Sequence, residues 1–264
     1  MAESLNKTSK VKGIIFDLDG TAIDSPGHKL PTERLITAVK NLQTNYYLCA
    51  ATGRCWTFGK DVIQGLGLMD LCIISGGTQI CDPQTGKIVW QKDVTPKALE
   101  EVIKVFSENG KQKLIFNDYT EDDYFNGGIL PKNFDITLRV NWLSQSFVPD
   151  ALAVKLHLKL DTIDGITCVK VVSQKPGCRD LHVVNKKATK EHAIAELLGR
   201  LGIERKDTIG IGDGHNDIHL FKAVGQKVAM GNAVEDLKAA ADLVIGEVKN
   251  DGLAKYFGEL RKLI

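Results

Sequence analysis

Wholly apolar strands alternating with amphipathic helices fill both ends of this chain and are missing from its middle. VKGIIF reads as a buried strand. PTERLITAVKNL follows as a helix with Leu35, Ile36, Val39 and Leu42 on one face and Thr32 as its N-cap. YYLCAATG is the next strand, TFGKDVIQGLG a helix and LCIISGG a third strand. The rhythm resumes with the helix KEHAIAELLGRLG, the strand DTIGIGDG, the helix NDIHLFKAVG, the strand KVAMG, the helix AVEDLKAAA and the strand DLVIG. A strand apolar on both faces needs cover on both. The pattern therefore predicts an α/β fold, a Rossmann-like doubly wound core around a parallel sheet.

The middle reads differently. AVKLHLKL alternates, with Val154, Leu156, Leu158 and Leu160 against Lys155, His157 and Lys159, which predicts a strand with one dry and one wet face. CVKVVSQ and DLHVV are also strand-like, TPKALEEVIKVFSENG supplies a covering helix, and DYTEDDYFNGG reads as an exposed loop. The expected organisation is a core over 1–83 and 185–264 with an inserted α+β domain over 84–184.

Composition removes several classes of function. The 264 residues carry 34 basic and 33 acidic side chains, so no basic footprint for nucleic acid exists. No apolar run reaches membrane-spanning length, and MAESLNKTSK lacks the apolar stretch of a signal peptide. The six cysteines show neither a Cys-x-x-Cys pair nor zinc-ligand spacing, which predicts reduced thiols in a cytoplasmic protein. The oligomeric state is not indicated.

Polar residues gather where the core strands end. Asp17 and Asp19 follow the first strand, Thr52 sits at the tip of the second, SGG ends the third, and Asp213 and Asp217 follow a later one. Alone, an Asp-x-Asp reads as a turn or cap and a Gly-Asp-Gly as a tight turn. Strand ends of a parallel sheet share one edge, however, so these segments are predicted to meet in one cleft. Carboxylates without a histidine or cysteine cluster suit Mg²⁺. Such an ion, helped by a lysine, relieves the repulsion between phosphate oxygens and a nucleophile. One aspartate can then attack phosphorus while a second carboxyl serves as acid and base. His215 and His219, four apart, lack the glutamate and third ligand of a zinc site and read as exposed or capping side chains.

DLDGT, ATGR, the lysine of KATKEHAI, and GIGDGHNDI followed by VAMGNA resemble, in order, the four motifs of the haloacid dehalogenase superfamily. The insertion between the second and third motifs resembles the C2B-type cap of its Cof-type (class IIB) hydrolases. The resemblance implies that Asp17 is the nucleophile and a Mg²⁺ ligand, and that Asp19 is the acid/base and binds Mg²⁺ through its backbone carbonyl. It implies that Thr52, with neighbouring backbone N–H groups at Gly53, binds the phosphoryl group. Arg54 reads either as a substrate contact or as half of an ion pair. Lys190, with Lys187 as the alternative, neutralises the phosphate. Asp213 binds the ion, Asp217 ligates it or orients its waters, and Asn216 and Asn232 lie near phosphate or substrate. Asp19 separates the chain from the dehalogenases, and DLDGT from the DKTGT of transport ATPases. SGGTQI stands where many relatives have Asn-Gly-Ala.

The implied activity is Mg²⁺-dependent hydrolysis of a small phosphorylated metabolite, a sugar phosphate or phosphorylated cofactor, through an aspartyl-phosphate. A phosphotransferase of the phosphomannomutase type would use the same intermediate and is the alternative. A metal-dependent binding module is the third reading, and the complete catalytic set counts against it. In the insertion, Lys155, His157 and Lys159, with Arg139 and Arg179 nearby, are expected to form a polar row that looks onto the active site and reads the leaving group.

Overall fold

The computed structural model describes residues 11–24, 30–108, 113–117, 124–126, 139–173 and 175–262. MAESLNKTSK and most of DYTEDDYFNGG lie outside the described residues. The chain divides into two compact units, Met1–Trp90 with Thr189–Ile264, and Gln91–Ala188. The first opens with β1 (Gly13–Phe16), α1 (Glu33–Leu42), β2 (Tyr47–Ala50), α2 (Trp56–Gly65), β3 (Cys72–Ile74), β4 (Gln79–Cys81) and β5 (Ile88–Gln91). Then come α3 (Pro96–Ser107), β6 (Lys113–Phe116), β7 (Tyr124–Asn126), β8 (Trp142–Pro149), α4 (Asp150–Leu160), β9 (Ile166–Val172) and β10 (Cys178–Asn185). The chain returns with α5 (Lys190–Leu201), β11 (Thr208–Gly212), α6 (Asp217–Ala223), β12 (Gln226–Ala229), α7 (Glu235–Ala240), β13 (Leu243–Val244) and α8 (Gly252–Arg261).

The first unit is the expected α/β core. Its parallel sheet runs β13-β12-β11-β1-β2. β1 lies inside the sheet, and all four of its residues are buried. From β1 the chain steps outward to β2 and later returns on the other side at β11. The strand order thus reverses between β1 and β11, which is where an open α/β sheet makes a crevice. α1 starts at Thr32, whose side chain accepts the Leu35 N–H, and buries Leu35, Val39 and Leu42, while Ile36 is half-buried. Each fully buried aliphatic side chain contributes roughly 1.5–3 kcal/mol. Phe16 meets Phe257 edge-on with centroids 5.7 Å apart, tying α8 to β1.

LCIISGG departs from expectation. β3 touches the parallel sheet only through the Ala51–Ile73 bridge and turns back antiparallel onto β4, in a separate sheet β3-β4-β5. The reason is local: Ser75, Gly76 and Gly77 all have positive φ (51°, 68° and 104°), which ends the strand after three residues. All six cysteines are free thiols, five of them buried. Among the described residues no helix is long and apolar enough to cross a membrane.

The second unit is an antiparallel sheet, β7-β6-β8-β10-β9. Leu99, Val102 and Phe106 of α3 and Ala153, Leu156 and Leu160 of α4 share one buried cluster with Leu143, Leu181 and Val183 of the strands. AVKLHLKL is therefore helical, contrary to the expected strand. The stretch satisfies two periods at once. Its leucines alternate, but Ala153, Leu156 and Leu160 also recur at helical spacing, and those three are the buried ones. Alanine, leucine and lysine favour helix, and Asp150 in the first turn with His157 and Lys159 in the last match the helix dipole.

The expected polar row goes with the strand. At about 100° per residue, His157 points some 200° away from Lys155. His157 pairs with Asp161 (2.7 Å), Lys159 with Glu108 (3.2 Å), Arg139 with Asp93 (2.8 Å) and Arg179 with Asp150 (2.9 Å). Each of these partners lies in the same unit. Tyr124–Asn126, inside the expected loop, is strand β7, paired with β6.

Candidate active site

β1 and β11 run side by side in register, Phe16 opposite Ile211, so their ends coincide. The Asp17 N–H continues the ladder onto Ile211 O (3.0 Å), which fixes the backbone of the first residue past β1. Asp213 follows β11, and Asp217 opens α6 four residues later. One oxygen of Asp217 accepts the N–H groups of Asp213 and Gly214, both at 3.0 Å, and so closes the turn between them. Carboxylate oxygens of Asp17, Asp213 and Asp217 lie within 4.8 Å of one another.

Lys190, the first residue of α5, reaches into this cluster. Its Nζ donates to Asp17 Oδ1 at 2.6 Å and to Asp217 Oδ1 at 2.7 Å. The lysine is 2% exposed, and Asp17 and Asp217 are buried too. The start of α5 is seated by Gly77: with φ at 104°, its Cα lies so close to the Thr189 backbone that a Cβ would collide with it. Lys187, the alternative, is exposed.

Electrostatics follow from the depth. Burial pushes Asp17 up to about 7; Lys190 opposes that shift and Asp217 adds to it. Burial likewise pushes Asp213 up to about 6, against the hydrogen bond from Thr21 Oγ1 (3.1 Å). Burial alone would lower Lys190, but Asp17 and Asp217 outweigh it and its pKa rises. Three carboxylates against one ammonium leave two formal negative charges uncompensated. A group of that kind can take a further cation. Hard oxygen donors in this number fit one divalent ion such as Mg²⁺.

The other expected residues follow the ends of β1, β2, β11 and β12. Thr52 is buried; its N–H donates to Ile73 O (2.9 Å) and its Oγ1 accepts the Arg54 N–H (3.0 Å). Gly53 is exposed at the β2 tip. The Asp19 carboxylate lies outside the three-carboxylate group and accepts two bonds from Arg54, Nε to Oδ2 and Nη2 to Oδ1. That bond raises the Arg54 pKa, against the opposing effect of burial. Asn216 is exposed at the start of α6. Asn232 donates to Gly20 O (2.8 Å) and accepts the Val248 N–H (2.8 Å), so its amide braces the loop beyond Asp19. His215 is exposed, and His219 lies 3.4 Å from Glu191.

Two supporting residues were not assigned from sequence although DLDGT contains both. Thr21 donates to Asp213, and Gly20 (φ 79°) passes so close that any Cβ would strike the Asp213 carboxylate. The third, Gly77, lay in a motif read only as the end of a strand.

A family model described as haloacid dehalogenase-like hydrolase matches residues 14–164 and 150–257. The HMP-PP phosphatase of Cronobacter sakazakii is 26% identical over 255 residues, 91% of this chain and 92% of that protein. The 5-amino-6-(5-phospho-D-ribitylamino)uracil phosphatase YitU of Bacillus subtilis is 23% identical over 93% of this chain and 96% of its own length. The crystal structure of a haloacid dehalogenase-like hydrolase from Bacteroides thetaiotaomicron superimposes with a TM-score of 0.73 at 23% identity, covering 95% of this chain and all of that one.

Proposed function

The chain belongs to the haloacid dehalogenase-like hydrolase family, and on that premise we propose that this phosphatase hydrolyses a small phosphate monoester, with Mg²⁺, through an aspartyl-phosphate on Asp17. The observation that carries the reading is the buried Lys190 ammonium shared by Asp17 and Asp217, beside Asp213.

Asp17, Asp213 and Asp217, with the backbone carbonyl of Asp19, would hold Mg²⁺. When bound, the ion supplies the positive charge that offsets the phosphoryl oxygens. Lys190 holds Asp17 Oδ1 and favours the ionised form against the effect of burial, which leaves Oδ2 to attack phosphorus. As the Asp17 O–P bond forms, the ester P–O bond breaks and Asp19 delivers a proton to the departing oxygen. Thr52, the Gly53 backbone and Asn216 would serve the phosphoryl oxygens. Asp19, now a carboxylate, takes a proton from water as its oxygen attacks phosphorus. The bond to Asp17 breaks, inorganic phosphate leaves, and both aspartates return to their starting state.

The names of the relatives support a small phosphorylated metabolite as the substrate class. Six free thiols support a reducing, cytoplasmic setting. The test is phosphate release from a panel of such esters with Mg²⁺ or EDTA. Release that matches ester loss, silenced by EDTA and restored by Mg²⁺, is expected. Conversion of an ester to its isomer without free phosphate would replace the hydrolase reading with a mutase.

A further inference from the structure

Asp19 is two residues from Asp17 at the end of the same strand, yet its carboxylate stays out of the group formed by Asp17, Asp213 and Asp217. It is near enough for its charge to act on Asp213. What faces it is Arg54. Nε donates to Asp19 Oδ2 at 2.8 Å and Nη2 to Oδ1 at 2.6 Å, a parallel fork in which each oxygen accepts one bond and keeps a second lone pair for a proton. The third nitrogen, Nη1, donates to Phe58 O (3.1 Å) in the first turn of α2. The Arg54 backbone is fixed as well, its N–H on Thr52 Oγ1 (3.0 Å) and its carbonyl accepting the Ser75 N–H (2.8 Å).

The guanidinium is therefore held at its root and at its tip. The two side chains are 18% and 34% exposed, far less than an ordinary surface pair. Two parallel bonds set the plane of a carboxylate as well as its distance, which a lysine at the same place could not do. The alternative for the Asp19 carboxylate is to turn toward three others of like charge. A fourth acidic group there would also be a fourth metal ligand, and a ligand cannot trade a proton.

We infer that Arg54 is a positioning residue. It holds the Asp19 carboxylate out of the acid cluster, in the orientation from which Asp19 exchanges its proton with the leaving oxygen and the attacking water. The inference rests on the acid/base reading of Asp19.

Steady-state kinetics on esters of graded leaving-group basicity test it. An alkyl phosphate needs a proton on its departing oxygen, whereas p-nitrophenyl phosphate does not. Arg54→Gln and Arg54→Lys should each lower kcat on the alkyl ester roughly a hundredfold, the scale of a lost acid/base contribution. On the nitrophenyl ester the loss should be several-fold, with KM nearly constant on both. Arg54→Ala should behave alike and recover part of its kcat when guanidinium ion is added. Arg54→Ala combined with Asp19→Asn should be little slower than Asp19→Asn alone. Near-UV circular dichroism identifies the folded variants on which these rates are read, and the Gln variant preserves size if the Ala variant does not fold. A uniform rise in KM with kcat intact would overturn the inference, because Arg54 would then bind phosphate. Leaving-group selectivity in Asp19→Asn but not in the Arg54 variants would also overturn it, and the acid/base reading would stand. Absence of selectivity in Asp19→Asn itself would remove both.

Discussion

Both units carry surface ion pairs, but the buried charge of Lys190 and its partners is in the first. In the first, Lys190 and two carboxylates are buried together, with Asp213 beside them and Asp19 locked to Arg54 at the edge. In the second, Arg139–Asp93, Lys159–Glu108, Arg179–Asp150 and Lys186–Asp164 are separate pairs on the surface. A buried charge needs its partners, and removing one strands the rest. A surface pair exchanges protein contacts for water at almost no net gain. Convergence and depth therefore mark where chemistry is concentrated, and the number of ion pairs does not.

The largest effect should come from the nucleophile. Asp17→Asn is expected to lower kcat on the order of 10⁴-fold or more, as for other covalent catalysts, while the folded state persists. The same comparison extends within the site. Asp213→Asn should weaken Mg²⁺ binding measured by titration calorimetry, whereas Asp19→Asn should leave it nearly unchanged, because its carboxylate is outside the group. Equal weakening in both variants would place Asp19 among the side-chain ligands.

Next comes the stability held in the cluster. Lys190→Met keeps the length of the side chain and removes the charge that Asp17 and Asp217 share. It should cost about 3–5 kcal/mol, the range for breaking a buried pair, read by denaturant unfolding in EDTA. A loss under about 1 kcal/mol would mean that water reaches the carboxylates, as it does at a surface pair.

The third prediction separates the two periods in AVKLHLKL. Leu156 is fully buried and Leu158 is 65% exposed, although a strand would have put them on the same face. Leu156→Ala should cost about 2–5 kcal/mol and Leu158→Ala close to nothing. Equal losses would restore the strand.

That segment also shows why one unit was legible and the other less so. In the first unit the signals agree: strands apolar on both faces, a threonine cap at Thr32 and carboxylates just past strand ends all specify one arrangement. Asp17, Asp213, Asp217 and Lys190 meet because β1 and β11 are neighbours, a consequence of the alternating pattern. What escaped notice there depends on close approach. Gly20 and Gly77 matter for the atoms they let in, and sequence carries no record of those atoms. In the second unit the signals conflict. Leucine and lysine alternate inside a helix, and β8 went unseen because Ser144 and Gln145 interrupt its apolar run. Arg54 was legible only as one of two roles, since its partner is 35 residues away in the chain.

The smallest expected effect is at the surface of the second unit, and it tests the other half of the comparison. Arg179 Nε lies 2.9 Å from Asp150 Oδ1, a good distance, but the side chains are 41% and 52% exposed. Solvent screens the attraction, and holding both side chains in one geometry costs entropy. Arg179→Ala should therefore change unfolding free energy by no more than about 1 kcal/mol. Asp150 also opens α4, where a negative charge favours the helix by about 0.3–1 kcal/mol. Asp150→Ala should on that account cost slightly more than Arg179→Ala, and the double variant should cost about as much as Asp150→Ala alone. A thermodynamic cycle on these variants reads the coupling directly. A coupling above about 2 kcal/mol would show that this pair behaves like the Lys190 cluster despite its exposure, and depth would then no longer distinguish the two units.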